Sequence, residues 1–267
     1  MNAPAVKWAL ITGASGGIGL ELAEKFAAAG NGLVLVARRA DKLEADAARL
    51  RQGHGVPVRV LSADLSADSA APRLYEAVRA QGIEIEYLVN NAGVGNYGRF
   101  GESDLNKDLA LLRLNIESLT ALTKLFLKDM IVRKSGRVMN VASTAAYMPG
   151  PYMATYYASK AYVLSFSEAI AEELSGSGVT VTVVCPGPTM TGFHAAANMG
   201  GSRLFSGPFI MTAADVARIA YDGLMSGRRV VITGWTNRLM VLSSRLAPRR
   251  WATRAVRYLQ EKIKKPA

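Results

Sequence analysis

A single cysteine, Cys185, rules out a disulfide within the chain and any site that needs several thiolates. It closes an apolar run just before Pro186, where a buried structural thiol is expected rather than a nucleophile. With only two histidines, His54 and His194, a histidine-built metal site is not expected, and a Ser-His-Asp triad hardly more so. His54 lies between Gly53 and Gly55 and reads as a solvated turn residue. No apolar run has the length to cross a bilayer, and the longest clear one, Val179–Cys185, is strand-sized. Lys7 is followed by an apolar run that Thr12-Gly13 soon breaks, too short for a secretory signal. The expected location is therefore cytoplasmic. Acids are the scarcer charges: the net charge is +11, and from Arg228 onward eleven Lys or Arg face one acid, Glu261. The body is near neutral and the C-terminus is basic.

Half of the 267 residues are apolar and 20% are charged, the balance of a folded protein with a large core. Apolar, strand-sized runs recur at Val6–Thr12, Gly32–Arg38, Pro57–Leu61, Tyr87–Asn90, Gly136–Ala142, Val179–Cys185 and Arg229–Thr233. They are continuous rather than alternating, as strands of a parallel sheet covered on both faces should be. Helical stretches separate them: Ile18–Ala29, Asp41–Gln52, Ala71–Gln81, Asp104–Arg133, Tyr156–Ser175 and Ala213–Ser226. This alternation predicts an α/β fold, a doubly wound, Rossmann-like parallel sheet of about seven strands with helices on both faces. Residues 1–233 read as one dinucleotide-binding and catalytic domain, and residues 234–267 as a basic, amphipathic helical extension.

The first predicted strand runs into Thr12-Gly13-Ala14-Ser15-Gly16-Gly17-Ile18-Gly19 and then a helix. Glycines there permit a tight turn, bring backbone N–H groups to a phosphate and leave the positive end of the helix dipole facing it. On the first strand–helix connection of an alternating chain, this points to a dinucleotide site. The second strand ends in Arg38-Arg39. Two guanidiniums suit the 2′-phosphate of NADP better than the 2′-hydroxyl of NAD, Arg38 more than Arg39; a surface pair beside Asp41 is the other reading. Asp64 and Leu65, after the third strand, are placed at the adenine edge, although Asp64 reads almost equally well as a simple turn acid. In Tyr156-Tyr157-Ala158-Ser159-Lys160, a phenol and an ammonium lie one helical turn apart. A phenol with its reference pKa of about 10 is a poor acid or base at neutral pH, and a neighbouring cation favours its ionised form. Ser143 ends a strand upstream of this pair and adds a hydrogen-bond donor. Hydride transfer at a carbonyl needs such a donor, a proton source and a fixed cofactor.

Thr12–Gly19, Asn90-Asn91-Ala92-Gly93, Asn115, Ser143, Tyr156 with Lys160, and Pro186-Gly187 with Thr191, in this order, resemble the short-chain dehydrogenase/reductase family across residues 6–233. The resemblance implies that Tyr156 exchanges a proton with the substrate oxygen, that Lys160 lowers its pKa and holds the nicotinamide ribose, and that Ser143 donates to the same oxygen. It implies that Asn115 holds a water linking Lys160 to solvent. Asn91, Ala92 and Gly93 would line the adenosine side. Pro186, Gly187 and Thr189 would shape the nicotinamide loop, and Thr191 would bond the carboxamide. Tyr157, one position off, is assigned to packing. The implied cofactor is NADP(H), favoured over NAD(H), and the implied assembly is a homodimer or homotetramer built partly on the helices starting near Asp104 and Tyr156.

The substrate is expected outside the carboxyl ends of the strands. Tyr147, Met148 and Met153, with a Met190–Thr212 lid carrying Met199, Leu204, Phe205, Phe209 and Met211, suggest a small to medium, fairly apolar carbonyl or alcohol. Apolar lid residues that merely pack on the body are the alternative. In the tail, helical spacing gathers Trp251, Ala252, Ala255, Val256, Tyr258, Leu259 and Ile263 on one arc and Arg250, Arg254, Arg257, Lys264 and Lys265 opposite. Packing on the body or a second subunit is favoured over peripheral contact with an anionic membrane. No nucleic-acid partner is expected, because no such module accompanies the charge. The rival to an enzyme is an NADP(H)-binding regulator or scaffold with little turnover.

Overall fold

The computed structural model describes residues 6–193, residue 197 and residues 210–261. Seven parallel strands form one sheet: β1 Trp8–Thr12, β2 Gly32–Ala37, β3 Val58–Ser62, β4 Ile85–Asn90, β5 Gly136–Val141, β6 Val179–Cys185 and β9 Val230–Ile232, in the order β3-β2-β1-β4-β5-β6-β9. A two-stranded parallel pair, β7 Thr189–Met190 with β8 Met211–Thr212, stands apart. The strand order reverses between β1 and β4, so these neighbours diverge in their connections and open a crevice at their carboxyl ends. There Thr12 pairs with Val36 on one side while Ile11 pairs with Val89 on the other.

Both faces of the sheet are covered. On one, α1 Gly17–Ala28, α2 Ala40–His54 and α7 Ala213–Met225 bury Leu22, Phe26, Leu43, Ala217 and Leu224. Phe26 sits between Tyr87 and Tyr221, with ring centroids 5.1 and 5.0 Å away. On the other face, α3 Ala70–Arg79 and α5 Leu119–Arg133 supply Leu74, Val78, Phe126 and Met130. Strands flanked on both sides have little polar face to show, which is why β1 and β2 are almost wholly apolar while the edge strand β3 carries Arg59 and Ser62.

The helix expected over Asp104–Arg133 is not regular. It comprises α4 Leu105–Leu112, a π-type turn over Arg113–Ser118, and α5. Asn115 lies within the turn and is almost fully buried. Its side chain is drawn inward to polar partners, and the widened turn accommodates it. α6 Ala154–Glu173 begins two residues before the expected start. The C-terminal stretch folds as α8 Trp235–Leu246 and α9 Arg249–Gln260. Among the described residues, no helix is long and apolar enough to cross a membrane.

Candidate functional site

The turn after β1 is built by close approach. Gly13 has φ of +66°, and a Cβ on Gly19 would lie 2.4 Å from the Gly13 carbonyl oxygen and 2.5 Å from Asn91 Nδ2. Only glycine lets α1 come this near. Asn91 fastens the turn from β4: its Nδ2 donates to the Thr12 and Gly13 carbonyls at 2.9 and 3.3 Å. The Asn91 and Ala92 amides both donate to Thr12 Oγ1 at 3.0 Å. The N-terminus of α1 carries neither a side-chain cap nor an acid in its first turn, so its N–H groups and positive dipole end are left for an anion.

This turn borders a cleft of about 860 Å³ that also receives Ser15, Ile18, Arg38, Arg39, Asp64, Leu65, Gly93, Ser143, Tyr156, Lys160, Pro186, Gly187, Thr189 and Thr191. The two expected residues outside the lining are Gly19, which lies beneath the turn, and Asn115. Arg39 reaches Ser15 Oγ at 3.5 Å across the mouth of the turn. Asp64 turns to Ser66, whose hydroxyl and amide donate to Oδ1 at 2.6 and 2.9 Å. These bonds hold its carboxyl below the usual range, helped by the charge of Arg38. Thr189 spends its hydroxyl on the Gly187 carbonyl at 2.9 Å. Thr191 Oγ1 accepts from the Phe193 amide at 3.2 Å while its methyl packs over Gly17.

Ser143, Tyr156 and Lys160 meet at the ends of β5 and α6. Ser143 Oγ accepts from the Ala145 amide at 3.1 Å, and its donation to the Pro186 carbonyl is long, at 3.4 Å. Burial holds the Tyr156 hydroxyl well above the usual phenol range, and a hydrogen bond to Ser143 pulls the other way. Lys160 donates to the Val141 carbonyl at 2.8 Å, stands 5.8 Å from the centre of the Tyr156 ring and is pulled down to about 8 by burial. This departs from the expected lowering of the phenol by the ammonium. The amine is committed to a backbone oxygen, and the burial that raises the phenol is opposed only by its hydrogen bond to Ser143.

Behind the pair, Asn115 Oδ1 accepts from the Val94 amide, and Nδ2 donates to the Val94 carbonyl and to Ser159 Oγ, at 3.0, 3.0 and 3.1 Å. Ser159 passes its own proton to the Tyr156 carbonyl at 2.7 Å. A Cβ on Gly93 would sit 3.3 Å from both Asn115 Oδ1 and Lys160 Nζ, so the three positions crowd together. Asn90 stays in the sheet, donating to Thr123 and Asn140 at 2.9 Å each.

A glycine cradle that a methyl group would fill, an uncapped helix N-terminus and guanidiniums at the next strand end suit a dinucleotide. Comparison with known proteins decides the family: the short chain dehydrogenase family profile matches residues 7–200. The chain belongs to the short-chain dehydrogenase family. It is 31% identical over 185 residues to the 7beta-hydroxysteroid dehydrogenase of Collinsella aerofaciens, covering 69% of this chain and 70% of that one. It is 34% identical over 185 residues to the very-long-chain 3-oxoacyl-CoA reductase of Anas platyrhynchos, of whose length the match spans 58%. Among solved structures, a short-chain dehydrogenase from Sphingobium yanoikuyae in complex with NADPH superposes with a TM-score of 0.81 at 33% identity, over 90% of this chain and 94% of that one. A 7beta-hydroxysteroid dehydrogenase structure gives 0.84 at 28%, over 94% and 96%. The protein is thus an oxidoreductase with a nicotinamide-binding fold, acting between carbonyl and alcohol.

The dehydrogenase has site residues that sequence reasoning passed over. Lys42 joins the two arginines at the cleft, one helical turn after them, and its spacing could have suggested it. Ser159 was hidden inside the Tyr-Lys segment. The larger omission is the C-terminus: Met240, Val256, Leu259 and Gln260 line the cleft. Gln260 is 1% exposed; its Nε2 donates to the Tyr157 hydroxyl at 2.7 Å, and its carbonyl accepts from the Tyr97 hydroxyl at 2.9 Å. Tyr157 therefore holds the last helix as well as packing against Gly150. The inward arc of α9 is centred on Val256 and Gln260, whereas Trp251 and Tyr258, expected on the packed arc, are exposed. Two further expectations change, while the buried thiol expected at Cys185 is found. Tyr147 points to Cys185 Sγ at 3.7 Å and lies under Arg245, away from the cleft that Met148 and Met153 do line. His54 is the last residue of α2 and pairs with Glu24 instead of standing in water. Cys185 is buried, its thiol pushed up to about 11 by desolvation, an inert packing residue. His194 and the lid residues Met199, Leu204, Phe205 and Phe209 lie outside the described residues, as do Ile263, Lys264 and Lys265.

Proposed function

We propose that this dehydrogenase is an NADP(H)-preferring enzyme that interconverts a fairly apolar ketone and its secondary alcohol. The observation that carries the reading is the convergence of Ser143, Tyr156 and Lys160 on one cleft whose other end is the glycine turn. The nicotinamide, when bound, supplies or takes the hydride. In reduction, Ser143 points its hydroxyl proton at the substrate oxygen; its oxygen is already held by the Ala145 amide and its competing donation to Pro186 is weak. Tyr156, kept protonated by burial, gives its proton to the same oxygen. Lys160, with a pKa of about 8, is mostly charged at neutral pH and supports the phenolate left behind. Asn115 is a positioning residue. Both Nδ2 hydrogens are spent on Val94 and Ser159 and its Oδ1 accepts from the Val94 amide, so the side chain ties the segment after β4 to α6.

Arg38, Arg39 and Lys42 at the second strand end support the 2′-phosphate of NADP, as does the likeness to an NADPH complex. Met148, Met153, Phe193, Val256 and Leu259 give the substrate end an apolar wall, and relatives named for steroids and long acyl chains fit a bulky apolar ligand. Residues 6–233 act as one binding and catalytic unit, with α8 and α9 as its C-terminal wall. Exposed Leu105 and Leu109 on α4 and Tyr162 on α6 support a homo-oligomer built on those helices. NADPH consumption by the purified chain, followed against ketones of graded bulk and repeated with NADH, tests the reading. Turnover that rises with apolar bulk and favours NADPH is expected; cofactor binding without consumption of any ketone or aldehyde would make it a regulator instead.

A further inference from the structure

α8 is apolar on the side away from the body. Asn237 and Val241 are buried against the fold, and Asn237 packs so closely on the nicotinamide loop that a Cβ on Gly187 would lie 2.3 Å from its Nδ2. At 100° per residue the opposite side of the helix carries Trp235, Leu239, Leu242 and Leu246 in one stripe. These four are 71%, 56%, 55% and 79% exposed. Trp251, on α9, is 71% exposed as well. Large apolar side chains gathered at this density on a surface mark a contact. The surrounding charge has one sign: residues 235–261 hold six arginines and a single acid, Glu261, which pairs with Arg257 at 3.4 Å.

We propose that the outer face of α8, with Trp251 of α9, docks the dehydrogenase on an anionic membrane surface. The stripe has the residue types of a helix lying in a lipid interface, tryptophan and leucine flanked by arginine. Its charge favours lipid over a second copy of the chain, because two such faces would set arginine against arginine with almost no acid to pair. The same two helices turn Met240, Val256 and Leu259 into the cleft. Docking therefore sets the apolar end of the cleft about one helix diameter, ~10 Å, from the acyl region. A membrane-dissolved substrate would meet it there.

Sedimentation of the full chain with vesicles tests this without any substrate, so the result stands whatever reaction the site performs. Phosphatidylcholine vesicles with roughly a third phosphatidylglycerol should carry the protein down, and pure phosphatidylcholine should do so far less. The exposed double substitution Leu239→Glu with Leu242→Glu should weaken binding about tenfold or more. Ala48→Glu, on an exposed position of α2, should leave it unchanged. Circular dichroism and NADPH binding confirm that the variants are folded. The proposal is overturned if the wild type stays in the supernatant, or if the double variant binds as well as wild type, which would mean bare charge adsorption. It is equally overturned if the stripe substitutions dissolve a dimer in lipid-free buffer while vesicle binding never appears.

Discussion

The two ends of the cleft are made differently. The cofactor end is assembled from the carboxyl ends of β1, β2 and β4 and the start of α1, and its contacts are largely to backbone. The substrate end draws on Met148 and Met153 ahead of α6, Phe193, and α8 and α9 from the far C-terminus. The first is rigid because backbone groups and glycines leave no room for alternatives. The second is held by side chains such as Gln260 and Tyr157, which can change without disturbing the sheet. A fold arranged this way can keep its chemistry and vary its substrate.

Substitutions can break that division, beginning with the chemical step at the junction of the two ends. Ser143→Ala removes the donor to the substrate oxygen and should lower kcat by about 10²–10³-fold, with NADPH affinity changed less than about twofold; steady-state rates and a fluorescence titration check both. At the cofactor end, Gly19→Ala places a methyl group 2.4 Å from the Gly13 carbonyl and should cost about 1–3 kcal/mol of stability together with most NADPH affinity, read by thermal melts with and without cofactor. Arg38→Asp should weaken NADPH by about ten- to a hundredfold and NADH much less, and equal losses would remove Arg38 from the 2′-phosphate site. At the substrate end, Gln260→Leu deletes the bond to Tyr157, should shift KM for bulky ketones severalfold and should cost about 1 kcal/mol, leaving NADPH affinity intact. If it lowered NADPH affinity as much as Gly19→Ala, the two ends would not be separable.

The buried amine gives a smaller effect with a definite sign. Lys160 is lowered from 10.5 to about 8 in the folded chain. Between those values the folded protein has lost the proton that the unfolded chain still holds, so this group's contribution makes stability rise with pH, by at most ~1.4 kcal/mol per pH unit. Below about 8 both forms carry the charge and the burial cost is fully present. The difference in unfolding free energy between wild type and Lys160→Met should therefore move in favour of the wild type from pH 8 to 10. A flat difference would mean the amine is solvated.

The same contrast explains what could be read from the chain alone. The cofactor end was legible because its signals are local: continuous apolar strands, glycines at fixed offsets, two arginines at a strand end, and a Tyr–Lys pair one turn apart. The π-type turn at Asn115 was not legible, since Arg113–Ser118 has ordinary helix-forming residues and the cause is the bonds of Asn115 to Val94 and Ser159, 21 and 44 residues away. The C-terminal wall was misjudged for a related reason. Helical periodicity found an apolar arc in α9, and Val256 on that arc is buried, but Gln260, a polar residue, sinks deeper still, because its amide donates to the Tyr157 hydroxyl and its carbonyl accepts from the Tyr97 hydroxyl. Charge arithmetic made the tail look like an appendage, and only tertiary contact shows two helices lining a cleft. Likewise Lys160 could be paired with Tyr156 by spacing, but not assigned to the Val141 carbonyl.

Tyr156→Phe removes one oxygen and keeps the ring, so it isolates the proton transfer on which the account rests. NADPH oxidation with a bulky ketone, measured alongside NADPH affinity on the same sample, should fall by about 10²–10⁴-fold in the variant while the cofactor binds as before. A variant that consumes NADPH at the wild-type rate would contradict the account.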